Sequence, residues 1–294
     1  MAGVVLAFLS SIFWGTSDFV GGVSSRKSTA LRATLWSFVG AVIVSTIALL
    51  AVPWEASSTA ITAGVLAGAF AVGGFLALYA SLATASMGVV TVIVGAAEAI
   101  VPVVVGLLWH HDSLSVLAWC GVAIALAGAT LIGMAEGAAG TASWQPLALA
   151  LVSGMLFGGS LVALDAAPVD SGLVTPTMEV VVGLALLLVI ALAIARIGAV
   201  GRAAHSIGIT SGTADPSRKA LGWGLIAGAF LAVANITLLL ALRNGQLSVV
   251  GVVLCLYPVT TAILARVFLH ERLTRKHILG ITVAIAGCVL LAVA

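Results

Sequence analysis

Uninterrupted apolar runs of about twenty residues recur along this chain, separated by short polar breaks. A helix of that length matches the hydrocarbon thickness of a bilayer, where every backbone polar group must be satisfied within the segment. Charged residues fill only 7% of the 294 positions, whereas a soluble domain uses about a quarter. Twelve Lys/Arg and ten Asp/Glu cannot coat a globular surface of this size, which excludes a water-soluble enzyme, a disordered chain and a collagen-like fibre. A net charge of +2 argues against a nucleic-acid partner, so the lipid bilayer is the expected surrounding.

Ten spans are expected, at roughly 3–22, 32–52, 61–82, 87–109, 114–134, 147–165, 173–196, 221–242, 247–269 and 277–294. The fold class is all-α, a polytopic membrane protein. The breaks carry charge or turn chemistry, as in Ser24-Ser25-Arg26-Lys27-Ser28, Pro53-Trp54-Glu55, His110-His111-Asp112-Ser113 and the stretch from Asp165 to Asp170 around Pro168. The longest connection, Gly198 to Lys219, is too short and too rich in Gly and Ser to bury a core. Trp54, Trp109, Trp144 and Trp223 fall at span ends, where indoles favour the headgroup layer. No Lys or Arg precedes Arg26, so the first run lacks the basic flank of a cleaved signal and reads as a retained helix. Cys120, Cys255 and Cys288 lie in apolar runs without disulfide or metal-ligand spacing and read as small core residues. No metal or cofactor is expected.

The chain is written twice. Gly64-Val65-Leu66-Ala67-Gly68-Ala69-Phe70 matches Gly224-Leu225-Ile226-Ala227-Gly228-Ala229-Phe230, and His111-Asp112-Ser113-Leu114-Ser115 matches His270-Glu271-Arg272-Leu273-Thr274. The second register continues without a gap to pair Gly121 with Gly280, Gly128 with Gly287 and Leu131 with Leu290. Ser10, Gly15 and Ser17 likewise face Ser153, Gly158 and Ser160. Two five-helix repeats result, over 1–138 and 143–294. An odd number of spans turns the second copy upside down, and the charges agree. Arg26, Lys27 and Arg32 stand against Asp165 and Asp170; Glu55 stands against Arg196, Arg202, Arg218 and Lys219; His110, His111 and Asp112 stand against Arg272, Arg275 and Lys276. By the preference of Lys and Arg for the cytoplasm, this bias puts both termini outside. Inverted repeats suit alternating access, in which two halves rock around a site near the midplane.

Phe13-Trp14-Gly15-Thr16-Ser17-Asp18-Phe19 resembles the opening of EamA-type members of the drug/metabolite transporter superfamily. So does Leu256-Tyr257-Pro258-Val259-Thr260 leading into Leu269-His270-Glu271-Arg272-Leu273-Thr274, with Gly280 and Gly287 following. The resemblance spans nearly the whole chain; in the first half Asp112 stands where the repeat usually has Glu. It implies a ten-helix secondary transporter, often an exporter of amino acids or similar metabolites, in a bacterial-type inner membrane. It also implies a central cavity from spans 1, 3 and 4 and their counterparts 6, 8 and 9. Family members commonly have cytoplasmic termini, opposite to the charge bias. The protein is expected to work as a monomer.

An ionised group at the bilayer centre costs about 2.5–3.5 kcal/mol on insertion scales, so each one kept there needs a reason. Glu98 lies near the middle of span 4, and its repeat counterpart is Tyr257. Together they suit a shared cavity wall in which Glu98 carries a proton or meets a ligand amine; the other reading is a protonated Glu98 bonded to a neighbouring helix. Asp18 serves the site or pairs with Arg32. Glu179 serves the site or complements the helix dipole after Thr175-Pro176. Asn235 binds solute or bonds another helix. Trp14, Trp36 and Tyr79 are candidates to line a pocket, and Pro102 and Pro258 to kink spans 4 and 9. Arg266 is placed to snorkel. An intramembrane enzyme is the second reading, but His270-Glu271 is followed by Thr274, not the His a zinc motif needs. A scaffold or sensor is the third, and it leaves the inverted charge unexplained.

Overall fold

In the computed structural model the described residues are 2–109, 144–212, 218–244, 257–270 and 274–292, with scattered positions between 116 and 131. Their regular structure is helical: α1 Ala2–Lys27, α2 Ala30–Leu50, α3 Ser58–Thr84, α4 Met87–Trp109, α5 Trp144–Asp165, α6 Val174–Arg196, α7 Gly198–Ser206, α8 Arg218–Asn244, α9 Tyr257–Phe268 and α10 Arg275–Ala292. Six of these, α1, α2, α3, α5, α6 and α8, are long and apolar enough to cross a bilayer. Helices α4, α9 and α10 occupy the fourth, ninth and tenth expected spans. The fifth span, and residues 247–256 of the ninth, lie mostly or wholly outside the described residues.

Three expectations need correcting. The first span does not stop before Ser24-Ser25 but continues to Lys27, because both hydroxyls find acceptors within the bundle: Ser24 Oγ donates to Ala220 O at 2.8 Å and Ser25 Oγ to Gly22 O at 2.9 Å. The connection after α6 is not irregular throughout, since Gly198–Ser206 forms a nine-residue helix. Cys120 is exposed and not a core residue.

The bundle is built with small and hydroxylic residues inside and large apolar ones outside. Ser10, Ser17, Ser37, Ser153 and Ser160 are buried, while Ile47, Leu50, Leu188, Val189, Leu192 and Phe268 are each more than half exposed. This is the arrangement lipid demands. Acyl chains solvate Leu and Val as well as another helix does, so close backbone approach and interhelical hydrogen bonds must do the joining.

Those bonds follow the repeat. On α1, Ser10 Oγ donates to Ala234 O at 2.8 Å and Ser17 Oγ to Ala227 O at 2.9 Å. Their counterparts on α5 do the same to α3: Ser153 Oγ to Gly74 O at 2.9 Å and Ser160 Oγ to Ala67 O at 3.2 Å. In the register that pairs Gly64 with Gly224, Ala67 and Gly74 are the equivalents of Ala227 and Ala234. The glycines repeat the exchange. Gly15 lies on Tyr257 O and Thr260, and Gly158 on Glu98 O and Val101; Gly64 and Gly68 lie on α6, and Gly224 and Gly228 on α2.

Helix direction follows from these contacts. The bonds to Gly74 and Ala67, with Ser81 Oγ to Pro146 O at 2.7 Å, run α5 antiparallel to α3. Arg26 at the end of α1 donates to Leu82 O and Ala85 O at the end of α3, so α1 and α3 share a direction and α5 opposes both. The α1–α2 turn meets the loop after α7, with Leu31 N donating to Ile209 O at 3.0 Å, and Gln145 Nε2 donates to Ser206 O at 3.0 Å. Arg26, Lys27, Arg202 and Lys219 therefore gather at one end. At the other, Gly172 takes φ 60° as its backbone turns against Pro53 O, between Glu55 and Asp170. A side chain there would be strained as well as crowded.

A methyl group on Gly228 would strike Ser37 O and Ala41 N, whereas one on Gly222 meets nothing within 4 Å. Gly228→Ala is expected to destabilise the protein by about 1–3 kcal/mol through overpacking. Thermal unfolding in detergent checks this; Gly222→Ala should leave the midpoint unchanged or raise it.

Candidate functional site

Helical spacing puts Trp14, Ser17 and Asp18 on one face of α1, and Phe157, Ser160, Leu161 and Leu164 on one face of α5. Both faces line a single interior cavity, completed by Phe75 of α3, Glu98 of α4, Glu179 of α6, Leu231 of α8 and Tyr257 of α9. About 60 Å³ is open to the centres of water molecules, room for a few at about 10–15 Å³ each. Four pairs of lining residues are repeat counterparts: Trp14 and Phe157, Ser17 and Ser160, Asp18 and Leu161, Glu98 and Tyr257.

The Tyr257 hydroxyl donates to Glu98 Oε2 at 3.2 Å. The edge of Trp14 packs on the Tyr257 ring, centroids 5.8 Å apart at 86°, and the Trp14 indole N–H donates to Asn235 Oδ1 at 2.8 Å. Glu98 is thus joined through Tyr257 and Trp14 to Asn235 in a chain of contacts crossing α4, α9, α1 and α8. Also lining the cavity, Phe75 and Phe157 stack edge to face with centroids 4.8 Å apart. Ser160 Oγ donates to Glu179 Oε1 at 3.3 Å, while Glu179 Oε2 is buried without a hydrogen-bond partner. Glu98 is 8% exposed and Glu179 7%, so both carboxyls are walled in by protein. Asp18 and Glu98 line the same cavity.

Of the residues singled out from sequence, Glu98, Tyr257, Asp18, Glu179 and Trp14 line this cavity, and Asn235 touches it through Trp14. Tyr79 does not line it. It is fully buried beside Gly21 and bonds Ser37 Oγ at 3.2 Å. Trp36 packs its Cβ on Gly224 of α8, also away from the lining. Arg32 stands exposed in the first turn of α2, and Asp18 faces the cavity instead. Helix α4 continues through Pro102, and Pro258 sits in the first turn of α9 as described. Sequence reasoning missed Phe75, Phe157, Leu161, Leu164 and Leu231, and treated Ser17 and Ser160 only as repeat markers. For Phe157 a signal existed, since it occupies the position of Trp14 in the second copy. Among the described residues no group of three His, Cys, Asp or Glu is disposed to hold a metal ion.

A lipid-compatible bundle with oppositely directed helices around a carboxyl-bearing cavity defines an integral multi-pass membrane protein of the transporter kind. The chain matches the EamA-like transporter family over residues 1–134 and 144–293, and it belongs to that family. That family lies within the drug/metabolite transporter superfamily, and its members move small molecules. Fourteen chains of solved structures also match. One, described only as the crystal structure of a protein, is 15% identical, with a TM-score of 0.62 over 98% of this chain and 97% of that one; it shows the fold alone. No curated protein matches.

Tyr257→Phe removes the donor to Glu98 and leaves a buried carboxyl oxygen without it. A loss of about 1–3 kcal/mol is expected, read as a lowered thermal midpoint in detergent. An unchanged midpoint would show that this bond contributes nothing.

Proposed function

We propose that this protein is a secondary transporter carrying a small solute across the membrane by alternating access around the Glu98 cavity. The observation that carries the reading is the Tyr257–Glu98 hydrogen bond. It joins two residues at equivalent positions of the repeat, so the axis relating the two copies passes through the cavity itself. A site on that axis presents comparable walls to both sides of the membrane, as alternation requires. Ten spans in two inverted repeats over 1–138 and 143–294 complete the architecture, and the protein works as a monomer in a bacterial-type inner membrane.

Glu98 is the coupling residue, carrying a proton or meeting the solute, with Asp18 and Glu179 as further carboxyls on the path. Trp14, Tyr257 and Asn235 shape the pocket. The resemblance points to export of an amino acid or a similar metabolite.

In proteoliposomes, Glu98→Gln should abolish solute counterflow or uncouple it from a proton gradient, with protein yield and monodispersity retained. Wild-type flux in that variant at every pH tested would remove Glu98 from the mechanism.

A further inference from the structure

Among the described residues, the cavity lining carries three carboxyls, Asp18, Glu98 and Glu179, and no Lys, Arg or His. The described cations lie elsewhere. Arg26 and Lys27 close the last turn of α1, Arg196 that of α6, Arg243 that of α8 and Arg266 that of α9; Arg243 and Arg266 are exposed. A solute with a free carboxylate would bring one more negative charge into this space and find no cation there. Burying an uncompensated charge is among the most unfavourable things a protein interior can be asked to do.

The second observation is the unsatisfied oxygen. Glu179 is more than nine-tenths buried and lines the cavity, with Oε1 bonded by Ser160 and Oε2 bonded by nothing. An orphaned acceptor on a carboxyl calls for an N–H or O–H donor, best supplied by a cation. The third is the walls. Two aromatic pairs, Trp14 with Tyr257 and Phe75 with Phe157, line the same space, which favours a cation over an anion.

We infer that the solute is a compact protonated amine bearing N–H groups and no carboxylate, its ammonium bonded to Glu179 Oε2. This rests on the transport reading above and narrows it, setting aside the zwitterionic amino acids that the resemblance favours. A quaternary ammonium would satisfy the charge and the rings but leave Oε2 without a donor.

The test uses the purified full-length protein and four probes sharing one branched body: 3-methylbutylamine, L-leucine, 4-methylpentanoate and trimethyl(3-methylbutyl)ammonium. Calorimetric titration should show the amine binding at least tenfold tighter than each of the other three. Glu179→Gln should weaken the amine at least tenfold, and Glu179→Asp should recover part of the loss. Leucine, the carboxylate or the quaternary ion binding as tightly as the amine overturns the assignment, as does no amine binding at all. The comparison among probes is made on the unaltered protein, so it stands even if a Glu179 variant fails to fold. Flux in proteoliposomes separates the two claims. Leucine transported in place of the amine refutes the amine and leaves transport standing; amine bound with no solute moved refutes transport and leaves the binding site standing.

Discussion

Within a bilayer, apolar surface gains nothing by leaving one hydrocarbon environment for another, and the contacts joining these helices reflect that. Hydroxyls reach across to backbone carbonyls, and glycines let one helix lie on the backbone of the next. Ser10, Ser17 and Ser24 tie α1 to α8, and Ser81, Ser153 and Ser160 tie α3 to α5. A helical carbonyl already accepts its own helix's bond, and its second lone pair takes the serine, so the join leaves no backbone group unsatisfied. The same short side chains keep the helices near enough for dispersion contacts to accumulate.

The two copies agree at the packing positions and at Ser17 and Ser160, and part at the other paired lining positions. Gly15, Gly64 and Gly68 have identical counterparts, and a side chain at any of them would meet backbone or a neighbouring side chain. Within the cavity, Asp18 faces Leu161, Trp14 faces Phe157 and Glu98 faces Tyr257. Helix α6 continues the pattern: Gly68 lies on Glu179 O and Gly183 N as Gly228 lies on Ser37 O and Ala41 N, which makes Ser37 the counterpart of Glu179. Every carboxyl in the cavity is therefore single. The repeat supplies the scaffold, and the positions where its copies differ, Phe75 against Asn235 among them, supply the chemistry.

This division decides what was legible in the sequence. Apolar run length and the polar breaks between runs located the six bilayer-length helices, because run length is a property of many residues summed along a span. Glu98 and Tyr257 came together through the repeat register alone, since no local pattern links residues so far apart. Tyr79 and Trp36 were chosen by residue type, and type does not say which side of a helix faces the cavity. Tyr79 instead closes the gap over Gly21, and Trp36 seats Gly224. Phe75 and Leu231 looked like any other apolar residue of a lipid-facing helix, and only packing separates them. Helix α7 escaped notice because nine residues containing Gly198 and Gly201 carry too little helical signal to outweigh their glycines.

The serine-to-carbonyl bonds and glycine contacts also sort most of the helices into two groups, bridged by Arg26 and by Ser37–Tyr79, and the groups are not the two halves of the sequence. Helix α1 is bonded to α8, and α8 lies on α2 through Gly224 and Gly228; α5 is bonded to α3, and α3 lies on α6 through Gly64 and Gly68. Each group takes helices from both copies, and the repeat exchanges one group for the other. Trp14–Asn235 falls inside the first group and Ser160–Glu179 inside the second. Trp14, Ser17, Asp18 and Leu231 of the first group and Phe75, Phe157, Ser160 and Glu179 of the second line the same cavity, so both groups border the space. On the transport reading, a rocking motion that keeps each group intact breaks none of its serine bonds. It alters the distance from Asp18 to Glu179, while α4 and α9, joined by Glu98 and Tyr257, lie at the seam. A cation held between acids of the two groups would then feel the motion directly, because moving the groups changes how many carboxyls it can reach.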